Sequence, residues 1–159
     1  MEQELWILLR LLIAALFGGL IGYERERTGK EAGLRTHMLV AIGAALFVSF
    51  VDLFATEARP LVMPGAQDSF RIQIDPLRTV EAIVTGISFL GAGTIFVSGE
   101  RGRVKGLTTA ASIWVTAAVG IAIGLERYVL SLGSTILILV VLRLLKRFES
   151  PPERRGGGE

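Results

Sequence analysis

The chain has no cysteine, one histidine and only five prolines in 159 residues. Without cysteine there is no disulfide, no thiolate metal site and no thiol nucleophile. A lone histidine, His37, rules out a multi-histidine metal site within one chain. The sequence also lacks a GxSxG elbow, a P-loop, an HExxH pair and carboxylates in a catalytic arrangement, and Thr108 and Thr109 have no evident base. Nothing in it supports an enzyme. The net charge of +2 is too small to indicate a nucleic-acid partner. Polar stretches are scarce as well. Hydrophobic residues make up 51% of the chain and lie in long runs, so there is no room for a separate soluble domain beyond short loops and a tail.

A bilayer core of about 30 Å is crossed by roughly 20 helical residues. Five runs approach that length: 5–23, 36–55, 76–97, 107–125 and 128–145. The expected fold is therefore an all-α membrane protein, a compact bundle of about five transmembrane helices over residues 1–145. A disordered cytoplasmic tail is expected over 146–159, where the sequence is polar with a Pro pair and a Gly run. The start Met1–Glu4 is acidic, and the run behind it is longer than a signal-peptide core, which favours a retained membrane helix. Lys and Arg are distributed unevenly. Four fall in 24–35, three in 98–106 and five from Arg143 onward, twelve on one side against five at most on the other. The positive-inside rule then puts the N-terminus outside and the C-terminus in the cytoplasm.

Small residues recur at helical spacing: Gly18 and Gly22 on the first run, Gly120 and Gly124 on the fourth, and Gly91 and Gly93 on the third. In lipid such residues let helix backbones approach closely. They serve packing within the bundle or a homodimer through the Gly18/Gly22 or Gly120/Gly124 face. Gly91 and Gly93 also loosen their helix. Trp114 lies deeper in its run than an interfacial aromatic, so its indole N–H calls for a partner inside the bundle.

Charges inside apolar runs are costly and point to function or pairing. Arg10 and Glu81 lie at similar depth, roughly 8 Å from one face, and are expected either to pair or to reach the surface separately. Asp75 is a candidate N-cap, followed by Pro76 and Arg78, and a candidate outward-facing cation ligand. The opposite face gathers Glu24, Arg25, Arg35, Thr36, His37, Lys105, Thr108 and Thr109. Two helix N-termini with full positive charges beside them would suit a phosphate, an anionic lipid head group or a partner's carboxylate. Alternatively, these cations anchor helices at the lipid surface. His37 titrates near neutrality in water and is a candidate pH sensor.

These residues fall in motifs: GGLIGYERE at 18–26, AGLRTH at 32–37, DPLR at 75–78, GISFLGAG at 86–93 and GLTTAASIW at 106–114. Together, in this order, they resemble the MgtC/SapB family over about residues 9–145. The resemblance implies a multi-pass protein of the bacterial inner membrane, tied to growth in low magnesium and to virulence. Members are described as regulators that restrain the F1Fo ATP synthase, which makes that complex a candidate membrane partner. Magnesium or other ion transport is the alternative, with Glu24, Asp75 and Glu81 as candidate ligands of magnesium, the one metal the resemblance suggests. Members often carry a cytoplasmic C-terminal domain. This sequence stops at Glu159, so the expectation is a membrane core without that domain. Ser88 stands where the family commonly has glycine in GISFLGAG, and its small size preserves the packing argument.

Overall fold

The computed structural model describes residues 1–58, 76–98 and 103–144. It contains five helices, α1 (Glu2–Arg27), α2 (Leu34–Ala58), α3 (Pro76–Ala92), α4 (Leu107–Gly124) and α5 (Tyr128–Leu144). A short antiparallel hairpin of β1 (Phe96–Ser98) and β2 (Arg103–Lys105) joins α3 to α4, with Phe96 opposite Lys105 and Ser98 opposite Arg103. Asp75 and the tail 146–159 lie outside the described residues.

Three helical stretches, Glu2–Arg27, Leu34–Phe54 and Leu107–Gly124, are long and apolar enough to cross a membrane, and α5 is apolar but shorter. They turn large apolar side chains outward: Leu8, Leu12 and Leu16 on α1, Leu39 and Phe47 on α2, and Leu132 and Leu137 on α5 are all exposed. In water that surface would be a severe liability, whereas in lipid it is the ordinary exterior.

The interior is built from small side chains. α2 is the central helix, packed against α1 on one side and α4 on the other, with α3 against α4 and α2, and α5 against α4 and α1. One core cluster joins Val40, Ala44 and Val48 of α2 to Ile83, Ile113 and Ala117. The other joins Ala41 and Ala45 to Ala14, Ile21, Val119 and Ile123. Glycine sets these distances. A Cβ at Gly18 would sit 2.5 Å from the His37 carbonyl oxygen, and one at Gly22 would sit 2.7 Å from Leu34 Cα. A Cβ at Gly120 would run into the Ala41 carbonyl, and one at Gly124 would lie 2.8 Å from Val48 Cβ. Both glycine pairs are therefore used inside the chain, against α2. The close backbone approach these glycines permit is made within the chain.

Three expectations are corrected. The third helix stops at Ala92, not Val97. The Gly91–Gly93 stretch leads into a turn in which Thr94 and Ile95 amides donate to the Gly91 and Ala92 carbonyls, and the chain then enters the hairpin. Gly91 itself makes only ordinary contact with Ala110, at 3.6 Å, and Gly93 faces its own helix end. Trp114 does not pack inside the bundle but is 46% exposed on the outer side of α4.

Candidate functional site

α1, α3 and α5 finish at the same end of the bundle where α2 and α4 begin, and the hairpin caps that end. The face of α1 that carries Gly18 and Ile21 inward continues to Arg25 at helical spacing, so Glu24 and Arg25 are carried into the interior. Both are almost fully buried, and the Arg25 Nε–H donates to Glu24 Oε2 at 2.7 Å. The pair is held at one point. The Arg25 Nη1 group is buried and has no hydrogen-bond partner among the described residues. A buried guanidinium that leaves donors unused loses part of what pairing returns against desolvation.

His37 is completely buried beside this pair. Its Nδ1–H donates to the Gly33 carbonyl at 2.9 Å. Its Nε2 lies 3.1 Å from Ser112 Oγ on α4, and that hydroxyl lies 2.8 Å from the Thr109 carbonyl. The hydroxyl has one proton for two acceptors. With neutral His37 it serves Nε2, and with the imidazolium it serves Thr109 while accepting from Nε2–H. Polar groups of α1, α2 and α4 thus lie buried inside an apolar bundle, with His37 of α2 bonded to Ser112 of α4.

The outer part of this end is a notch of about 440 Å³ between the turn Gly29–Glu31 and the start of α4. Lys30, Glu31, Lys105, Thr108 and Thr109 are among the side chains that line it, two cations against one carboxylate. Gly106, at φ +87°, is the N-cap of α4 and provides no side-chain cap. Its carbonyl accepts from Ala110. The first-turn amides of α4 therefore lack a side-chain acceptor among the described residues, which leaves the positive end of the helix facing the notch.

The structure divides the predicted group. Glu24, Arg25, His37 and Thr109 are buried together, Lys105 and Thr108 are exposed at the notch, and Arg35 and Thr36 lie on α2 away from the notch lining. The α2 N-terminus does not contribute a free anion site as expected, because Glu26 Oε2 already accepts from the Leu34 amide at 2.8 Å. Sequence reasoning missed Glu26 in this capping role and Ser112 as the partner of His37. An acidic residue eight positions before a helix start was the available signal for the first, and a serine inside the GLTTAASIW motif for the second.

At the other end Arg10 does not pair with Glu81. It pairs with Glu126 and lies 3.8 Å from Asp52. The helix that bears Glu81 packs on α2 and α4, which holds it away from Arg10. Glu126 reaches Arg10 from the three-residue connection between α4 and α5, where it adopts φ +61°, a conformation costing a non-glycine residue about 1 kcal/mol or more. Arg10, Asp52 and Glu126 line a crevice of about 430 Å³. Glu81 and Arg78 are exposed on α3.

Comparison with known proteins adds the following. A family model described as the MgtC family matches residues 11–150. The chain is 39% identical over 142 residues to the Escherichia coli K12 protein named "Putative magnesium transporter YhiD", covering 86% of this chain and 59% of that protein. It is 43% identical over 147 residues to protein SrpB of Synechococcus elongatus, covering 88% and 75%. It is 42% identical over 139 residues to protein MgtC of Salmonella typhimurium, covering 87% and 52%. The chain thus spans little more than half the length of the YhiD and MgtC proteins. No solved structure matches it.

Proposed function

The chain belongs to the MgtC family, and from that premise we propose that it is a membrane regulator of adaptation to low magnesium, acting on a partner that presents an acidic group to the hairpin end. The observation that carries this reading is the notch. Lys30 and Lys105 stand beside a helix start without a side-chain cap, in a space large enough for an anionic group. A carboxylate of a membrane-protein partner or the phosphate of an anionic lipid offers the matching oxygens. The excess of Lys and Arg at this end supports a cytoplasmic orientation for it. The family resemblance makes a membrane subunit of the ATP synthase the first partner to test.

Magnesium transport is the second reading, favoured by the printed name of the Escherichia coli relative and by Asp52 and Glu126 at the mouth of a crevice. Arg10 counts against it, since its guanidinium lies between the two carboxylates where a cation would bind. Two measurements separate the readings. Purified protein, folded and inserted in liposomes, should give no magnesium flux. Growth of its host in low magnesium should be lost with Lys30→Glu/Lys105→Glu at an unchanged membrane level. Saturable flux reduced by Glu126→Gln replaces regulation with transport.

A further inference from the structure

α3 presents a face that the rest of the bundle leaves uncovered. It turns Ile83, Ile87 and Gly91 toward α2 and α4, with Ile83 and Ile87 in the core. On the outside, Arg78, Glu81, Thr85 and Ser88 are all exposed. Their spacing of three, four and three residues is that of the a and d positions of a heptad, and Ala92, also exposed, continues it. Polar side chains thus form one straight seam along most of the helix.

Two observations set this seam apart from a lipid-facing surface. α3 is not among the helices long and apolar enough to cross a membrane, and beside its exposed Leu77, Phe89 and Leu90 it carries a row of charge and hydroxyls. Moreover, among the described residues neither Arg78 nor Glu81 has an ion-pair partner, while Arg10 at the same end of the bundle has two. Ionised side chains at the lipid face of a helix are costly unless paired. Thr85 and Ser88 meet their own needs by donating to the Glu81 and Val84 carbonyls at 2.8 and 2.7 Å, so they can lie flat against a neighbouring helix.

We propose that this seam is the contact between two copies of the chain, α3 packed in parallel on α3, with each Arg78 paired to the partner's Glu81. The one-sided distribution of Lys and Arg inserts both copies the same way, so a two-fold axis along the membrane normal brings equal depths together. The offset between Arg78 and Glu81 is about 4.5 Å along a helix, within reach of an arginine side chain. Symmetry then forms two such pairs at once. Small residues at the next two seam positions allow close approach below them. The seam carries one cation and one anion and is self-complementary. A lipid phosphate would answer Arg78 and leave Glu81 unmet.

The absence of native cysteine makes the test direct. In bilayers, the otherwise unchanged chain carrying Ser88→Cys, or separately Thr85→Cys, should cross-link to a dimer under mild oxidation. Leu137→Cys, exposed on α5, should not. Association measured by energy transfer between labelled copies should fall at least about tenfold with Arg78→Glu or Glu81→Arg. It should return in Arg78→Glu/Glu81→Arg, where the pairs re-form with reversed sign. A double variant as dissociated as the single ones overturns the proposal. So does the failure of both seam cysteines to cross-link, and labelling of those cysteines by a water-soluble maleimide would then assign the seam to a water path. Unlabelled, uncross-linked cysteines would assign it to lipid.

Discussion

A single methyl group added at Gly120 should destabilise the bundle, and the structure says by roughly how much. The new Cβ would press on the Ala41 carbonyl and lie 3.0 Å from Ala41 Cα. The usual escape is for the two helices to separate slightly. Here α2 cannot retreat, because Ala41 is fully buried and its Cβ already lies 2.8 Å from where a Cβ on Gly18 would be. Overpacking in such a core costs about 1–3 kcal/mol. The better helix propensity of alanine returns up to about 1 kcal/mol. The net expectation for Gly120→Ala is a loss of about 1–2 kcal/mol. For Gly18→Ala/Gly120→Ala the loss should exceed the sum of the single losses, since each substitution closes the other's route of relief. Gly133→Ala on α5 is the internal reference. Nothing lies within 4 Å of a Cβ there, so it should be neutral or stabilise by up to about 1 kcal/mol. Reversible unfolding in mixed micelles at rising SDS fraction measures the wild type, Gly18→Ala, Gly120→Ala, their double variant and Gly133→Ala. If Gly120→Ala is as stable as Gly133→Ala, the pinning of α2 between α1 and α4 is refuted.

Two other substitutions test the hairpin end. Glu24→Gln leaves the buried Arg25 guanidinium without its carboxylate and should cost about 3–5 kcal/mol in the same unfolding assay, while Glu24→Met/Arg25→Met should lie near wild type or above it; a double variant no better than the single one would mean the pair stabilises the fold. Gly106→Ala combines a φ of +87° with a collision between its Cβ and the Thr94 carbonyl, so hydrogen exchange at the amides of 96–98 and 103–110 should speed up by at least about tenfold; unchanged protection would show that the junction of hairpin and α4 tolerates a side chain.

How far the sequence foretold this architecture depends on the range of the interaction involved. Five apolar runs are local patterns, and each appears as a helix. The glycine pairs at 18/22 and 120/124 were legible as close-approach sites, because a four-residue spacing already places both on one helix face. Their partner was not legible. A glycine face fits a second copy as well as a neighbouring helix, and only the packed chain shows α2 filling both. The end of α3 was misplaced because Ile95, Phe96 and Val97 continue an apolar run that serves a strand as readily as a helix.

The site residues divide along the same line, and the division explains the error over Arg10. Depth along a helix can be counted from sequence, and depth alone matched Arg10 with Glu81. Rotation about each helix axis cannot be counted, because it is set by which small residues touch which neighbour. On α1 the contact of Gly18 and Gly22 with residues 33–41 sets that rotation. It carries Arg25, in register with Gly18 and Ile21, into the interior beside His37, and it leaves Arg10 near the ends of α2 and α4, where Asp52 and Glu126 stand. The inward face of α3 is fixed by Ile83, Ile87 and Gly91 against α2 and α4, so its charged seam can face only outward. The glycines that pack the bundle thereby decide which charges it satisfies internally and which it presents to a neighbour.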